Sequence, residues 1–516
     1  MELVGEGGRL NAGTLDALPA HVARPGFDRA ALGIGVVHLG LGAFARAHLA
    51  AVNDAALRAG ASAEWGICGV SLRQTDTRDA LAPQDGLYAL ALRDADASGA
   101  PRQRLGVIGC LREALVAPED PQAVLDRIAA PGTRIVSITV TEKGYCHDPA
   151  SGRLNPDHPD IVHDLAHPTT PRGVIGFLVH GLQLRRAAGL APITVMSLDN
   201  LPANGHLLRA LVLTFAARLE AGLAEWIASA CTFPCSMVDR IVPRTTDADR
   251  QAIATALGVR DAWPVVAEPY LEWVVEDRFA AGRPDWTAGG ARFVADAAPF
   301  ETLKLRMVNG AHSALAYLSV MAGWATVDQA MAQPGMRRYL RALMGQEIEP
   351  TLPPLPGLDL AAYREGLLHR FTNPALRHQT RQIAMDGSQK LPQRLLGTVR
   401  DRLAMDAPIP GLALAVAGWL HFLRGADEAG RVYEIQDPMA QALAHRRERA
   451  EQAARQAGEG PAAMLAWAGV MTGFEPVFGD LGQEPRFVRA VGAAAQLLRS
   501  QGVAGALSAM HRASAG

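Results

Sequence analysis

Lysine is almost missing from this chain. Of 50 lysines and arginines together, only Lys143, Lys304 and Lys390 are lysine. A sequence that uses arginine wherever a surface cation will do leaves its few lysines as candidates for work arginine cannot perform. A partly desolvated lysine can give up its proton, and an arginine effectively cannot. Cysteine is scarce too: Cys68, Cys110, Cys146, Cys231 and Cys235 are five in 516 residues. That number is odd and too small for a disulfide framework, which fits a reducing compartment and leads to the expectation of a cytoplasmic protein. Neither charge is in marked excess, the net charge being −2. The basic surplus used by nucleic-acid binders and at anionic membrane surfaces is lacking, so neither partner is expected. Long apolar runs are lacking as well. The N-terminal stretch does not follow the basic-then-apolar order of a signal peptide. The most apolar segment, 411–423, is too short to span a bilayer and contains His421, so a buried helix is expected there.

Several chemical signatures are also absent. There is no H-E-x-x-H, no G-x-S-x-G elbow and no P-loop lysine motif, which argues against hydrolase and phosphoryl-transfer chemistry. Cys231 and Cys235 stand C-x-x-x-C with no histidine pair nearby; they read as small buried hydrophobes, and no metal site is expected.

What is present has two textures. In the first part, short β-branched runs at 34–39, 65–72, 105–110, 134–141 and 193–198 alternate with helical patterns at 43–58, 121–130 and 174–188. That alternation predicts an α/β fold with a doubly wound, Rossmann-type sheet. After about Phe300, Ala- and Leu-rich stretches punctuated by proline and glycine predict a mostly α-helical second domain. The boundary is placed near Asp285, giving a nucleotide-binding domain over 1–285 and a substrate domain over 286–516.

Gly40-Leu41-Gly42-Ala43-Phe44-Ala45 is a G-x-G-x-x-A pattern between the first predicted strand and the first predicted helix. The first glycine suits a tight turn, the second lets backbone approach a pyrophosphate, and the small Ala45 lets helix and strand pack closely. Gly40, Gly42, Ala43 and Phe44 are therefore expected at a dinucleotide, with Arg46 adding a charge beside the phosphates. The second strand runs into Arg73 and Asp76. Asp76 favours NAD through its ribose diol, whereas Arg73 suits the extra phosphate of NADP; NAD is the expectation, with NADP kept open.

The second domain opens on Glu301-Thr-Leu-Lys304-Leu-Arg-Met-Val-Asn309-Gly-Ala-His312. On a regular helix, Lys304, Glu301, His312 and Asn309 lie at about 0°, 60°, 80° and 140°, so one side carries all four. Reduction of a ketone generates an alkoxide, which needs a proton donor and dipoles that stabilise it as it forms. Lys304, its pKa lowered in a partly apolar site, fits the donor. Asn309 fits an oxyanion donor, His312 a partner for a substrate hydroxyl, and Glu301 a proton relay to solvent. Asn200, in Ser197-Leu-Asp199-Asn200 at the end of a predicted strand, fits a second oxyanion donor. Asp239 and Lys390 lie in turn-flanked text suited to holding hydroxyls.

With these residues in hand, the chain resembles the mannitol dehydrogenase family of long-chain polyol and sugar-acid dehydrogenases. The likeness runs from Val36-Val-His-Leu-Gly-Leu-Gly-Ala-Phe-Ala-Arg46-Ala-His48 to Asp437-Pro438, and K-x-x-x-x-N-x-x-H, met by Lys304, Asn309 and His312, is its most specific motif. The resemblance implies a Rossmann domain followed by a helical domain, chemistry without a metal, Lys304 as general acid/base and Asn200 with Asn309 as the oxyanion pair. It also places Asp239 and Lys390 at substrate positions. Segments 139–146, 233–243 and 385–394 resemble the fructuronate reductase branch of the family. That branch implies a sugar-acid substrate, interconverting D-fructuronate and D-mannonate, where the alternative is mannitol and fructose or another polyol. A uronate carries a carboxylate that fructose lacks, and Lys143 or Arg394 would pair with it. A nucleotide-sensing regulator on the same fold would have no use for a lysine and two asparagines facing the nicotinamide. The sequence leaves the oligomeric state open, a monomer included.

Overall fold

The computed structural model describes residues 8–96, 100–148, 151–355 and 357–514. The chain forms two compact units, one of residues 1–94 and 101–301 and one of 95–100 and 302–516. Among the described residues the first unit holds eleven strands: β1 (Ile34–Leu39), β2 (Gly66–Ser71), β3 (Tyr88–Ala95), β4 (Pro101–Ile108), β5 (Leu111–Val116), β6 (Ile135–Ile138), β7 (Thr194–Ser197), β8 (Ser236–Asp239), β9 (Val265–Ala267), β10 (Glu272–Glu276) and β11 (Ala291–Val294). Five of them make the main sheet in the order β5-β2-β1-β6-β7, every pair parallel.

Strands buried on both faces explain why the β1 text is continuously apolar apart from His38. Val37, Leu39, Val136 and Ile138 point into a core shared with Phe177 and Leu178. Their neighbours Val36, Ile135 and Met196 point the other way, against Leu49 and Val52. Helices therefore cover the sheet on both sides, as the alternating text predicts. The chain steps outward from β1 to β2 and β5, then returns to β6 on the other side of β1. That reversal makes the carboxyl ends of β1 and β6 the switch point of the sheet, where open α/β sheets bind ligands.

One expectation needs correction. The run at 105–110 does not join the main sheet; β4 belongs to a small sheet ordered β4-β3-β9, and the strand that follows it, β5, takes the edge of the main sheet. The first compact unit runs on past Asp285 to Glu301. β11 pairs with β10, and Trp286 packs on Trp273 with ring centroids 4.6 Å apart, so the segment up to Glu301 completes that unit.

In the second unit the regular elements described after Thr302 are helical. The apolar run at 411–423 is the helix Pro410–Phe422, buried at every residue from Gly411 to Phe422. It packs on the equally buried helix Gly310–Ala322. No helix among the described residues is long and apolar enough to cross a membrane.

Burial of that central helix carries an electrostatic consequence. His421 is stacked on Trp467 (5.0 Å), and its Nε2 has no hydrogen-bond partner. Burial, reinforced by the charge of Arg424, lowers its pKa to about 3. The folded chain thus keeps His421 neutral, while the unfolded chain protonates it near pH ~6.5. Stability is therefore full above that pH and is lost as the pH falls towards the folded value. In a His421→Phe chain, the slope of unfolding free energy against pH between 6 and 4 is expected to shrink by about 1 kcal/mol per pH unit. Chemical denaturation at each pH measures it, and equal slopes in both proteins would contradict the assignment.

Candidate functional site

The switch point is built around Gly40. Its φ is +102°, and a Cβ there would lie 2.0 Å from the Thr139 carbonyl oxygen, so only glycine lets the end of β1 pass the end of β6. Buried His38 braces the crossing, with Nδ1 2.8 Å from Ser137 Oγ and Nε2 2.9 Å from Thr139 Oγ1. The Thr139 hydroxyl donates to the Gly40 carbonyl (2.8 Å). Burial lowers the His38 pKa to about 4, which keeps the ring a neutral brace.

Gly42 then caps the helix Ala43–Ala47. It offers no side chain to cover the first-turn N–H groups, and a Cβ built on it meets nothing nearer than the Gly40 carbonyl at 3.9 Å. Open space before a bare helix start is what a pyrophosphate requires, so Gly40, Gly42, Ala43 and Phe44 fit a dinucleotide. Phe44 is stacked on His48 (5.0 Å). The predicted helix over 43–58 is broken at His48, which separates Ala43–Ala47 from Leu49–Arg58. Arg46 departs from expectation. It is buried, its Nη1 donates to the Trp263 carbonyl (2.5 Å), and its guanidinium lies 5.2 Å from the Tyr88 ring centre. Burial lowers its pKa to about 10. Arg46 therefore joins the core and leaves the phosphates to backbone groups. Asp76 is exposed at the first residue of the helix Asp76–Leu81, and Arg73 is exposed in the loop before it.

Beyond β6 and β7 the same edge carries a second network. Asp199 accepts the N–H groups of Val140 (3.0 Å) and Thr141 (3.1 Å) and the Tyr145 hydroxyl (2.9 Å). Burial raises its pKa against those hydrogen bonds. Asn204 ties the following turn down, donating from Nδ2 to the carbonyls of Asp199 (3.0 Å) and Ser236 (2.8 Å). Both carboxylate oxygens of Glu301 accept the Ala203 N–H, at 3.1 and 3.0 Å. Asn200 stands exposed on a turn held at both ends in this way. Lys143 is exposed on the short turn Glu142–Tyr145. Asp239 is buried at the end of β8, opposite Glu272.

The second unit holds the other expected residues, on a helix that is not regular. Ala298–Leu303 passes into a π turn over Lys304–Asn309 and then into Gly310–Ala322. A π turn closes i→i+5 hydrogen bonds. It therefore brings Lys304 and Asn309, five apart, closer in direction than the 140° of a uniform helix. Lys304 is buried, at 4% exposure, and Asn309 is partly buried. His312 is buried, stacked on Phe371 (4.1 Å) and edge-on to His378 (5.7 Å), and its Nε2 has no hydrogen-bond partner. Burial, then the charges of His378, Arg370, Arg394 and Lys304, hold its pKa well below the usual imidazole range.

A second π turn, Pro392–Leu396, packs against the first. A Cβ on Gly310 would lie 2.8 Å from the Arg394 carbonyl oxygen, so glycine is what allows the approach. Arg394 donates to Ser313 Oγ (3.2 Å) and has no carboxylate partner among the described residues. Desolvation lowers its pKa. Lys390 donates to the Ile383 carbonyl (3.4 Å), and burial followed by the Arg394 charge lowers its pKa to about 8. The short helix Gly387–Leu391 that carries it is fixed by Asp437, which accepts from Ser388 Oγ (2.5 Å) and the Ser388 N–H (2.8 Å).

The second unit thus brings Lys304, His312 and Arg394 together, with Lys390 close to Arg394. Sequence reasoning misses His378, Phe371, Ser313 and Tyr317 in this group. The i, i+4 spacing of Ser313 and Tyr317 beyond His312 is a usable signal, since it continues the same helix. His378 and Phe371 come from loop and helix-end text with no such spacing.

Comparison with known proteins agrees with the Rossmann-type first part and the helical second part of the chain. Residues 34–288 match the mannitol dehydrogenase Rossmann domain, and residues 296–499 match the mannitol dehydrogenase C-terminal domain. The D-mannonate oxidoreductase of Escherichia coli K12 is 44% identical over 95% of this chain and 98% of its own. A mannitol 2-dehydrogenase of Pyrenophora tritici-repentis is 39% identical over 96% of this chain and 84% of its own. Among solved structures, the Pseudomonas fluorescens mannitol 2-dehydrogenase in ternary complex with NAD and D-mannitol superposes with a TM-score of 0.84 at 38% identity. That match covers 98% of this chain and 99% of the other. The chain belongs to the mannitol dehydrogenase family and is an oxidoreductase.

Proposed function

We propose that this NAD-dependent enzyme interconverts D-fructuronate and D-mannonate in the cytoplasm, with Lys304 as general acid/base. The observation that carries the substrate is Arg394. A desolvated guanidinium whose described partner is one neutral hydroxyl is costly unless an anion completes it, and a uronate carboxylate is such an anion. Lys143 is the other cation assigned to that carboxylate.

Gly40, Gly42, Ala43 and Phe44 hold the dinucleotide, and Asp76 favours its ribose diol. When bound, the nicotinamide gives or takes the hydride at the carbinol carbon. The chain's own side chains manage the oxygen. Lys304 Nζ donates a proton to it in reduction and takes that proton back in oxidation, with Glu301 relaying it to solvent. The amides of Asn309 and Asn200 donate hydrogen bonds to the same oxygen as its charge develops. His312 stays neutral through the working pH range, so its free Nε2 orients a substrate hydroxyl without acting as an acid. Asp239 and Lys390 hold further hydroxyls. These roles need no metal ion, so activity is expected to persist in EDTA.

A second reading, mannitol and fructose, is favoured by the solved relative described with NAD and D-mannitol. NADH consumption with D-fructuronate and with D-fructose, each in EDTA, separates the two. Turnover of fructuronate alone is expected, and turnover of fructose alone would overturn the uronate assignment while leaving the chemistry. Arg394→Ala is expected to raise KM for fructuronate about 10- to 100-fold, the worth of a hydrogen bond to a charged group. An unchanged KM removes Arg394 from the carboxylate site.

Lys304→Ala is expected to lower kcat about 10²- to 10⁴-fold, and Asn309→Ala about 10²- to 10³-fold. In both, steady-state kinetics should show a much smaller change in KM. Near-normal kcat in the lysine variant would transfer the proton role to another group.

A further inference from the structure

Cysteine spacing along the chain reveals no metal set, but the first unit folds one together from three separate elements. The ligand atoms of His206, Cys235 and Glu276 all lie within 4.8 Å of one another. His206 stands exposed in the first turn of the helix Asn204–Leu219, Cys235 is buried just before β8, and Glu276 is buried at the end of β10. Three features hold them in place. A Cβ on Gly205 would lie 2.6 Å from Pro234 backbone and 2.7 Å from the Cys235 nitrogen, so the helix start is pressed onto the cysteine. The Cys235 N–H donates to Glu276 Oε2 (2.9 Å), and Arg278 pairs with the same oxygen (2.7 Å). Among the described residues Oε1 and the His206 ring have no hydrogen-bond partner, which leaves both free to coordinate.

We propose that Cys235 Sγ, the His206 imidazole and the Glu276 carboxylate form a binding site for a zinc-class divalent cation. One sulfur, one nitrogen and one oxygen suit a borderline-soft tetrahedral ion with water as fourth ligand, and they do not suit magnesium or calcium, which take oxygen ligands. With bonds of about 2.0–2.3 Å, the ligand atoms of such a site stand roughly 3.5 Å apart. The three atoms therefore draw in by little more than about 1 Å, and the exposed His206 ring is the one able to move. On binding, the Cys235 thiol loses its proton to solvent and the sulfur bonds the metal, with no change of oxidation state. Burial raises the pKa of the Cys235 thiol, and the backbone N–H groups of His206 and Gly205 at the sulfur partly offset that rise. The ion would clamp the start of the Asn204 helix to β8 and β10, directly behind the turn that carries Asn200. None of the three ligands has a part in the proposed catalysis, so the site stands or falls separately from it.

The other cluster of this kind, Cys146, His158 and Asp160, is weaker, because His158 Nδ1 already accepts the Asp160 N–H (3.2 Å). The test is a titration of the EDTA-dialysed full chain with Co²⁺, followed by displacement with Zn²⁺. Wild-type protein is expected to take up one equivalent, develop a thiolate-to-cobalt charge-transfer band, release a proton, and rise in Tm with Zn²⁺. Cys235→Ser should abolish the band, His206→Ala should weaken binding at least about tenfold, and Cys146→Ser should change neither. No band in wild type, a band that survives in Cys235→Ser, or one lost only in Cys146→Ser overturns the site. If Cys235→Ser fails to fold, as judged by circular dichroism, His206→Ala decides the matter, since an exposed ring can be removed without harm to the core. Unchanged cobalt affinity in that variant also overturns the proposal.

Discussion

At the end of β1 two backbones pass with no room for a side chain between them. The Gly40–Thr139 crossing exists because the sheet reverses its direction of growth there, with β1 feeding helices on one side and β6 on the other. A reversal of this kind opens a crevice, and the same glycine that permits the crossing clears the space in front of the next helix. His38 and the Thr139 hydroxyl brace the crossing from beneath, so the dinucleotide platform rests on hydrogen bonds buried in the sheet. The second network, around Asp199 and Tyr145, hangs from the same strand ends and fixes the turn bearing Asn200.

The second unit obeys a comparable constraint of close approach. Two π turns meet where Gly310 faces the carbonyl of Arg394, and each turn displaces side chains from where a regular helix would put them. A π turn gives up regular i→i−4 hydrogen bonding locally, and such turns recur at functional sites. Here the displacement redirects Lys304 and Asn309 on one helix and Arg394 on the other. The buried helix Gly310–Ala322 continues directly from the first π turn and packs on Pro410–Phe422, which supplies the rigidity that an irregular turn lacks.

Much of this arrangement is legible in the sequence, for identifiable reasons. The β1 run, Gly40 and the helices at 121–129 and 174–187 are visible because burial on both faces and tight turns leave strong local marks. The order Lys304, Asn309, His312 marks the substrate-domain helix by residue type, although uniform angular spacing misplaces its members, since nothing local announces a π turn. Arg46 is misjudged because proximity to the glycine motif suggests a phosphate, whereas its position on the inner side of a one-turn helix sends it to Trp263, far away in sequence. His378 and the His206–Cys235–Glu276 cluster escape for the same reason. Their partners are set by tertiary folding, and spacing along the chain carries no trace of it.

The scarcity of lysine acquires a physical meaning at Lys390 and Arg394. Both are desolvated in one neighbourhood, yet they respond differently. Burial brings Lys390 down to about 8, close enough to neutrality for its charge to depend on what binds beside it. Arg394 is lowered as well, but a guanidinium starts so high that it stays charged at any working pH. A permanent fork suits a planar carboxylate, which must be matched in every catalytic state. A titratable point charge suits hydroxyls, which ask for a donor or a neutral amine according to their own orientation. In the proposed mechanism Lys304, buried on the adjoining turn, extends the same logic to the reacting oxygen, where a group that could never release its proton would be useless in one of the two directions of the reaction. On the proposed roles, arginine at 394 and lysine at 304 and 390 divide by protonation chemistry, and exchanging the two types at 304 or 394 would not be a conservative change.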